Sequence, residues 1–140
     1  MVRDRAIREQ FVPLIAPTTN VYVAQTMKGE APWNTIVPTA IDVEAEKAND
    51  KPFPGVQGMI EAPVVLVFTV DLSVVASFDS ELDRIGVISG ASIYPFVWNT
   101  LLAARSEGLG GVLTTYLAGE EAKVQQLLGT PEHHAICAMV

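Results

Sequence analysis

The two histidines of this chain, His133 and His134, are adjacent, and imidazole is the most common side-chain ligand of transition metals in proteins. Neighbouring histidines on a loop do not easily converge on one ion, and no cysteine or carboxylate pair in the sequence supports them. A solvated pair just before a strand is the better interpretation of the two rings. The sequence therefore predicts no metal site.

The other reactive residues do not form a known catalytic constellation. Cys137 alternates with apolar neighbours, which is typical of a buried and inert thiol in a strand. Ser92 lies in Gly-Ala-Ser-Ile, which is not the spacing of a nucleophile elbow, so packing or helix capping accounts for it. The glycines of Gly108–Gly111 lack the third spaced glycine of a phosphate-binding loop and lie between a predicted helix and a predicted strand. We predict no catalytic nucleophile from these patterns.

Composition excludes several classes of partner. Nine basic residues face sixteen acidic ones, a formal charge of −7, which argues against a nucleic-acid or anionic-membrane surface. The charged opening Met1–Arg5 is not a signal peptide, and the longest apolar stretches are too short or too interrupted to span a bilayer. A single cysteine permits no internal disulfide. We expect a cytoplasmic protein that binds neither nucleic acid nor membrane.

Helices and strands must position any site. The N-terminal part of the chain is predicted to form two helices. Arg3–Val12 has amphipathic spacing that turns Arg5 and Arg8 outward. Pro13 is expected to end this helix because proline has no N–H to donate. A second helix is predicted at Asn20–Lys28.

The middle of the chain combines a long loop with the clearest strand. Residues 29–58 are rich in proline and glycine, and loops of this length are usually functional lids or disordered. One or two helical turns are expected at Asp42–Ala48. Trp33 and Phe53 either stack on a flat substrate or anchor the loop to the body. Ala62–Val70 is apolar on both faces, which predicts a central strand covered by helices.

The C-terminal half predicts a buried helix followed by further elements of a sheet. Ile85–Glu107 is apolar nearly all round, which is typical of a core helix or of one buried against a partner subunit. Gly108 should end this helix in the left-handed conformation, before a strand at Gly110–Thr115. A last helix at Gly119–Leu128 and a buried strand at Ala135–Val140 follow.

Residues 90–140 also carry a series of motifs in a fixed order. A helix with an Ala-Ser pair, an asparagine and Leu-Leu-Ala-Ala is followed by Gly-Leu-Gly, a short strand, a helix ending in Leu-Leu-Gly-x-Pro-Glu, and an apolar strand. This order resembles the nitroreductase superfamily, which includes the iodotyrosine deiodinases, over about Glu61 to Val140. The matching residues are Ala91, Ser92, Asn99, Leu101, Leu102, Ala103, Ala104, Gly108, Leu109, Gly110, Leu127, Leu128, Gly129, Pro131 and Glu132.

The resemblance implies an α+β fold with a central, mostly antiparallel sheet flanked by helices in an interlocked homodimer. The apolar helix agrees with this, because a lone subunit of this size hardly buries every face of such a helix. Residues 1–140 would then form a single partial domain, in which residues 29–58 are the lid.

The resemblance also implies a cofactor. In the family, two FMN molecules lie at the subunit interface, and residues just after the Gly-Leu-Gly strand lie against the flavin ring. A backbone amide or a threonine hydroxyl there points at flavin N5, orienting the ring and tuning its reduction. The corresponding FMN-binding residues here are Leu113, Thr114, Thr115 and Tyr116. The alternative is that the two threonines are ordinary strand residues.

The activity implied is that of an FMN-dependent oxidoreductase. It would take a hydride from NADH or NADPH onto flavin N5 and pass electrons to a nitroaromatic, a quinone or a similar planar acceptor. One alternative is a deiodinase-like or dehydrogenating member of the family. Another is a non-catalytic, flavin-sequestering or structural dimer.

The phosphate ligands are the main departure from the family pattern. The arginine-rich and Pro-Ser-x-x-Asn-x-Gln segments that bind the FMN phosphate would lie before residue 1, and a final basic residue would lie after Val140. Arg3, Arg5 and Arg8 have the spacing of a solvated helix face and are not assigned to the phosphate. We therefore expect a chain without the two ends of the family's subunit, which binds FMN weakly by itself.

Overall fold

The computed structural model describes residues 1–49, 51 and 53–140. This part of the chain consists of helices and two short strands. None of the helices in this part of the chain has the length and apolar content needed to cross a membrane. The elements are α1 (Arg5–Met27), α2 (Val43–Lys47), α3 (Val56–Glu61), β1 (Val67–Asp71), α4 (Ile88–Ser106), α5 (Glu121–Leu128) and β2 (His134–Met139), with 3₁₀ turns at Leu72–Val74 and Tyr116–Glu120.

A single helix, α1, occupies the region where two helices were predicted. Asp4 caps its start with a side-chain oxygen, and the helix continues through Pro13 and Pro17. A proline inside a helix costs about 3 kcal/mol. Phe11 and Ile15, four residues apart, are nevertheless fully buried on one face, and the packing of that face outweighs the cost. The prediction that Pro13 ends the helix was wrong.

Arg8 points inward, contrary to the prediction that it faces solvent. Its side chain is 6% exposed, and its guanidinium donates to the carbonyl of Ile60 at 3.1 Å and to the carbonyl of Arg3. These carbonyls replace the water that a buried charge would otherwise lose. Arg5, by contrast, is exposed and pairs with Glu9.

The strands β1 and β2 pair antiparallel, with Asp71 opposite His134 and an irregularity between Phe68 and Thr69. The mixture of helices with antiparallel strands agrees with the predicted α+β class. However, β1 is shorter than predicted and half-buried along its length, so it is not the fully covered central strand that its apolar sequence predicted. It pairs only with β2 among the described residues, which leaves part of it open to solvent.

The predicted strand at Gly110–Thr115 is reduced to one bridge. Thr114 exchanges two backbone hydrogen bonds of 2.8 Å with Met139, while residues 109–113 are irregular. Glycine is a weak strand former because it loses much backbone freedom and offers no side chain to pack. The two glycines of this segment therefore explain why the pairing does not extend.

The start of α4 depends on a carboxylate outside the helix. Asp79 is 3% exposed and accepts the N–H of Val87 at 2.7 Å and the Arg84 guanidinium at 2.8 Å. The Val87 N–H, followed by the Arg84 bond, lowers the pKa of this carboxyl below its usual value. The helix ends before Gly108, which has φ +78°, as predicted.

The apolar surface of α4 faces solvent in this chain. Val97 is its buried residue, whereas Phe96 is 65% exposed and Trp98 is 59% exposed. The interpretation of α4 as a core helix of the single chain was wrong. Its burial against a partner subunit stays a prediction.

The core lies where α1 meets the Tyr116–Glu120 turn, α5 and the end of β2. A methyl group at Gly119 would overlap the side chain of Thr18, so the turn and α1 approach as closely as glycine permits. The helix α5 ends at Gly129 with φ +67°, as its sequence predicted. The residues of the core cluster are Val2, Phe11, Ile15, Val65, Leu117, Val124, Ile136 and Met139.

Candidate functional site

An apolar cavity of about 430 Å³ lies beside the core. One wall comes from α3 and the residues that lead into β1, and another from the irregular segment after α4. The end of β2 closes it at Met139 and Val140. After α4 the lining includes Leu109, Gly110, Gly111 and Val112, and, from the residues predicted to contact a flavin, Thr114 and Tyr116.

The glycines of this segment are suited to a close approach. A methyl group at Gly111 would lie 3.0 Å from the side chains of Leu101 and Val140, so a larger residue there would displace one of them. At Gly110 the same position is open, with nothing within 4 Å. The backbone of the segment can therefore face the cavity without side chains filling it.

Thr114 is a polar residue in the mostly apolar lining of this cavity. Its backbone is held on both sides by Met139, so the residue is fixed in position. Its hydroxyl oxygen is buried and has no hydrogen-bond partner among the described residues. An unpaired buried hydroxyl costs roughly 1–3 kcal/mol, and a ligand that accepts or donates a hydrogen bond would remove this cost.

Tyr116 forms an aromatic edge of the cavity. Its ring packs edge-on against Phe53, with centroids 5.5 Å apart, and against Tyr22, with centroids 6.1 Å apart. Burial, and then the neighbouring Tyr22, raises the pKa of the Tyr116 phenol, which therefore stays neutral at physiological pH. The ring is held by its neighbours and presents a flat, uncharged surface.

The structure brings together two of the four residues that the sequence placed at a flavin. Thr114 and Tyr116 line the cavity, whereas Leu113 is half-buried outside its lining and Thr115 is exposed. Thr115 immediately precedes the 3₁₀ turn, and its carbonyl accepts the N–H of Ala118. The assignment of all four to a cofactor stays a prediction.

The two aromatic residues of segment 29–58 have different surroundings. Phe53 lines the cavity and packs on Tyr116, so it contacts the body of the protein. Trp33 is 47% exposed, has φ +56°, and donates its backbone N–H to the Gln25 side chain at 2.9 Å. Phe53 is thus both an anchor of the segment and a wall of the cavity.

The cavity suits the ring of a flavin better than its phosphate. Its described lining contains no lysine, arginine or histidine side chain that would pair with a phosphate. Arg8, a buried arginine of α1, already donates to two backbone carbonyls. Phe53 also lines a second cavity of about 510 Å³, and Lys28 and Lys51 belong to that lining.

The wall formed by α3 was not identified from the sequence. Residues 29–58 were predicted as one loop, yet Val56–Glu61 is helical, and Val56 and Met59 line the cavity. The spacing of Val56, Met59 and Ile60, three and four residues apart, is the signal that could have predicted it. Gly58 and the preceding prolines obscured that signal.

Cys137 and the two histidines lie at or beside β2. Cys137 is half-buried, its thiol donates to the carbonyl of Phe68 at 3.2 Å, and burial raises its pKa. These surroundings agree with the interpretation of an inert thiol. His133 and His134 lie beside Asp71, a carboxylate that sequence proximity did not indicate because it is more than sixty residues away along the chain.

Comparison with known proteins decides the family. The model of the family described as "Nitroreductase family" matches residues 2–140, nearly the whole chain. The chain belongs to the nitroreductase family. The resemblance inferred from the motifs after Gly90 is therefore confirmed, and the match extends further towards the N-terminus than those motifs do.

One curated relative is an NADPH-flavin oxidoreductase of Vibrio harveyi. It is 36% identical over 102 residues, which cover 66% of this chain and 41% of the relative. The matched part of this chain thus spans less than half of the relative's full length. No solved structure matches the chain.

Proposed function

We propose that the protein is a subunit of an FMN-dependent NAD(P)H oxidoreductase and that the apolar cavity receives the flavin ring. The observation that carries this proposal is the apolar, glycine-containing lining of the cavity, which includes Thr114, a residue whose buried hydroxyl has no partner among the described residues. Membership of the nitroreductase family and a relative named NADPH-flavin oxidoreductase support the assignment.

The cavity has the size and chemistry of a site for a flat ring. Small-molecule pockets usually enclose about 300–1,000 Å³ and combine apolar walls with a few polar groups, and this cavity is about 430 Å³. The glycine backbone offers a flat approach, and Tyr116 and Phe53 offer aromatic surface. The Thr114 hydroxyl is the group that would orient a polar edge of the ring.

When bound, FMN would supply the redox chemistry, accepting a hydride from NADH or NADPH and passing electrons to a nitroaromatic, a quinone or a similar planar acceptor. The residues of this chain would bind the flavin ring and orient it. The backbone pairing of Thr114 with Met139 fixes the backbone of this residue, and the apolar walls would limit the access of water to the ring. A lid role for residues 29–58 fits the position of Phe53 at the cavity.

A partner subunit is part of the proposal. α4 exposes several large apolar side chains, and exposed apolar surface of this kind marks interaction sites. We assign it to a second copy of this chain, which would complete the homodimer implied by the family. The residues of this surface are Tyr94, Phe96, Trp98 and Leu102, with Leu109 and Val112 following the helix.

A second candidate function is flavin sequestration without turnover. It is favoured by one observation, the lack of a cationic side chain in the described lining of the cavity. A sequestering protein would bind flavin without accelerating NAD(P)H oxidation, whereas an oxidoreductase would do both. A deiodinase-like or dehydrogenating activity would use the same ring site with another substrate.

The experiment is a titration of flavin fluorescence with the purified chain, using FMN and riboflavin in parallel. We expect weak quenching by both ligands, with affinities within about 3-fold of each other, because the cavity offers no phosphate partner. Thr114→Val should weaken ring binding by about 5–12-fold, the equivalent of one hydrogen bond of roughly 1–1.5 kcal/mol.

The matched control is Thr130→Val. The Thr130 hydroxyl is also buried without a partner among the described residues, but Thr130 is outside the cavity lining, so this variant should bind like the parent chain. Thr114→Val should also unfold at a higher denaturant concentration without ligand, since it removes an unpaired buried hydroxyl. Equal binding by the two variants, or no quenching by either flavin, would contradict the placement of the ring in this cavity.

A further inference from the structure

The end of the sheet opposite the cavity brings together three possible metal ligands. β1 ends at Asp71 and β2 begins at His134, and the register pairs these two residues directly. The N–H of Leu72 donates to the carbonyl of His133 at 3.0 Å, which extends the pairing by one residue. The strand pairing itself therefore holds the carboxylate and both imidazoles at one point.

The distances between the possible ligand atoms are longer than those around a bound metal ion. One ligand atom from each of Asp71, His133 and His134 lies within 4.8 Å of the others. His133 Nε2 lies 3.9 Å from Asp71 Oδ1, which is too long for a hydrogen bond. Around a tetrahedral ion, ligand atoms are about 3.4 Å apart, so a shift of roughly 1–1.5 Å would complete the set.

The residues of this cluster differ in how they are held. Asp71 accepts hydrogen bonds from the N–H and the hydroxyl of Ser73, at 2.9 and 2.6 Å. The side chain of His133 is 59% exposed and packs edge-on against the His134 ring, with centroids 4.8 Å apart. His134 Nδ1 lies 3.4 Å from the Thr69 hydroxyl, and a donation from Nδ1–H to that oxygen leaves the Nε2 lone pair for an ion.

We propose that Asp71, His133 and His134 form a binding site for a divalent transition-metal ion such as Zn²⁺. Two imidazoles and one carboxylate suit Zn²⁺, Co²⁺ and Ni²⁺ better than Mg²⁺ or Ca²⁺, which prefer oxygen ligands throughout. Water would fill the remaining coordination positions. The ion would tie together two strand ends that are more than sixty residues apart in sequence.

This site is separate from the cavity and does not rest on the proposed flavin function. His134 and Met139 are at opposite ends of β2, and a strand rises about 3.3 Å per residue, so they are roughly 16 Å apart. The ion would therefore act on the sheet rather than on the ring site. A failed flavin titration would leave the metal proposal intact, and the reverse also holds.

The test is calorimetric titration of the tag-free chain with ZnCl₂ in a non-chelating buffer, together with the visible absorption of its Co²⁺ form. We expect one ion per chain, a higher unfolding temperature with Zn²⁺, and nitrogen and oxygen ligation without a thiolate charge-transfer band. His133→Ala and Asp71→Asn should each weaken Zn²⁺ binding by at least about 10-fold, since even outer contacts of metal sites contribute about 10–100-fold.

Two control variants separate this site from Zn²⁺ binding elsewhere on the chain. Asp4→Asn changes a carboxylate that, like Asp71, accepts the N–H two residues ahead of it, yet it lies outside the cluster, so binding should be unchanged. Cys137→Ala should also bind Zn²⁺ normally. Unaltered binding by His133→Ala, loss of binding in Cys137→Ala, or no heat at millimolar Zn²⁺ would each overturn the proposal.

Discussion

The two long helices of this protein, α1 and α4, are similar in length and both contain proline, but they are opposite in burial. Each contains proline, and each runs for about twenty residues, 23 in α1 and 19 in α4. α1 buries seven of its residues, from Arg8 to Gln25, whereas α4 buries Val97. Yet α4 is the more hydrophobic of the two.

This contrast shows that the apolar content of a helix indicates that it packs against another surface but does not identify that surface. Phe11 and Ile15 of α1 lie on one side of the helix, in the core cluster that also contains Leu117 and Val124. The apolar residues of α4 surround the helix, and a single small chain does not cover them all. Exposure of the more apolar helix is therefore the structural argument for a second subunit.

The largest effect is expected from truncating the buried face of α1. Phe11 is fully buried in the core, so Phe11→Ala should lower the free energy of unfolding by about 3–5 kcal/mol. Phe96→Ala in α4 is the matched change, and it should cost about 0.5–1.5 kcal/mol, the value of its edge-on pair with Phe68. Urea unfolding at low protein concentration would measure both without a contribution from association. Similar losses in the two variants would contradict the asymmetry.

An intermediate effect is expected on association rather than on folding. Trp98→Asp places a charge in the proposed interface, which should weaken dimerisation by about 2–5 kcal/mol, or roughly 30-fold or more. Val23→Asp, at an exposed apolar position of α1, should leave association unchanged. Sedimentation over a range of concentrations measures both. Identical behaviour of the two variants would remove α4 from the interface.

The smallest effect concerns the starts of the two helices and depends on pH. Hydrogen bonds from Val87 and Arg84 lower the pKa of the Asp79 carboxyl in the folded state, so its stabilisation is present above the unfolded pKa of about 3.9 and is lost as pH falls through the lower folded pKa. Asp79→Asn should therefore be less stable than the parent at pH 7, and the gap should narrow below about pH 4.

The control is Asp4→Asn, at the exposed cap of α1. Its oxygen accepts the N–H of Ala6, and asparagine can do the same, so the loss at pH 7 should be smaller than in Asp79→Asn. Urea unfolding at pH 7, 4 and 3 gives the comparison. A gap between parent and Asp79→Asn that is constant over this range would show that the carboxylate charge does not stabilise α4.

Much of the candidate site could be predicted because its motifs are local. The order of Leu-Leu-Ala-Ala, Gly-Leu-Gly and Leu-Leu-Gly-x-Pro-Glu was sufficient to indicate the family. The resemblance also predicted that residues 113–116 contact a flavin, which stays a prediction; Thr114 and Tyr116 line the apolar cavity. The irregular form of that segment was not predicted, because the strand-like residues after Gly111 were given more weight than the two glycines that weaken the pairing.

Local sequence was enough to specify the class of fold, the family, and the ends of α4 and α5 at left-handed glycines, because these depend on residues close together in the chain. Tertiary contacts were needed to establish that α1 continues through two prolines, that Arg8 is buried against two carbonyls, and that Asp71 reaches the histidines. These features depend on residues far apart in sequence. Packing energy gained across such contacts outweighs the local preferences of proline and arginine, and no local pattern records it.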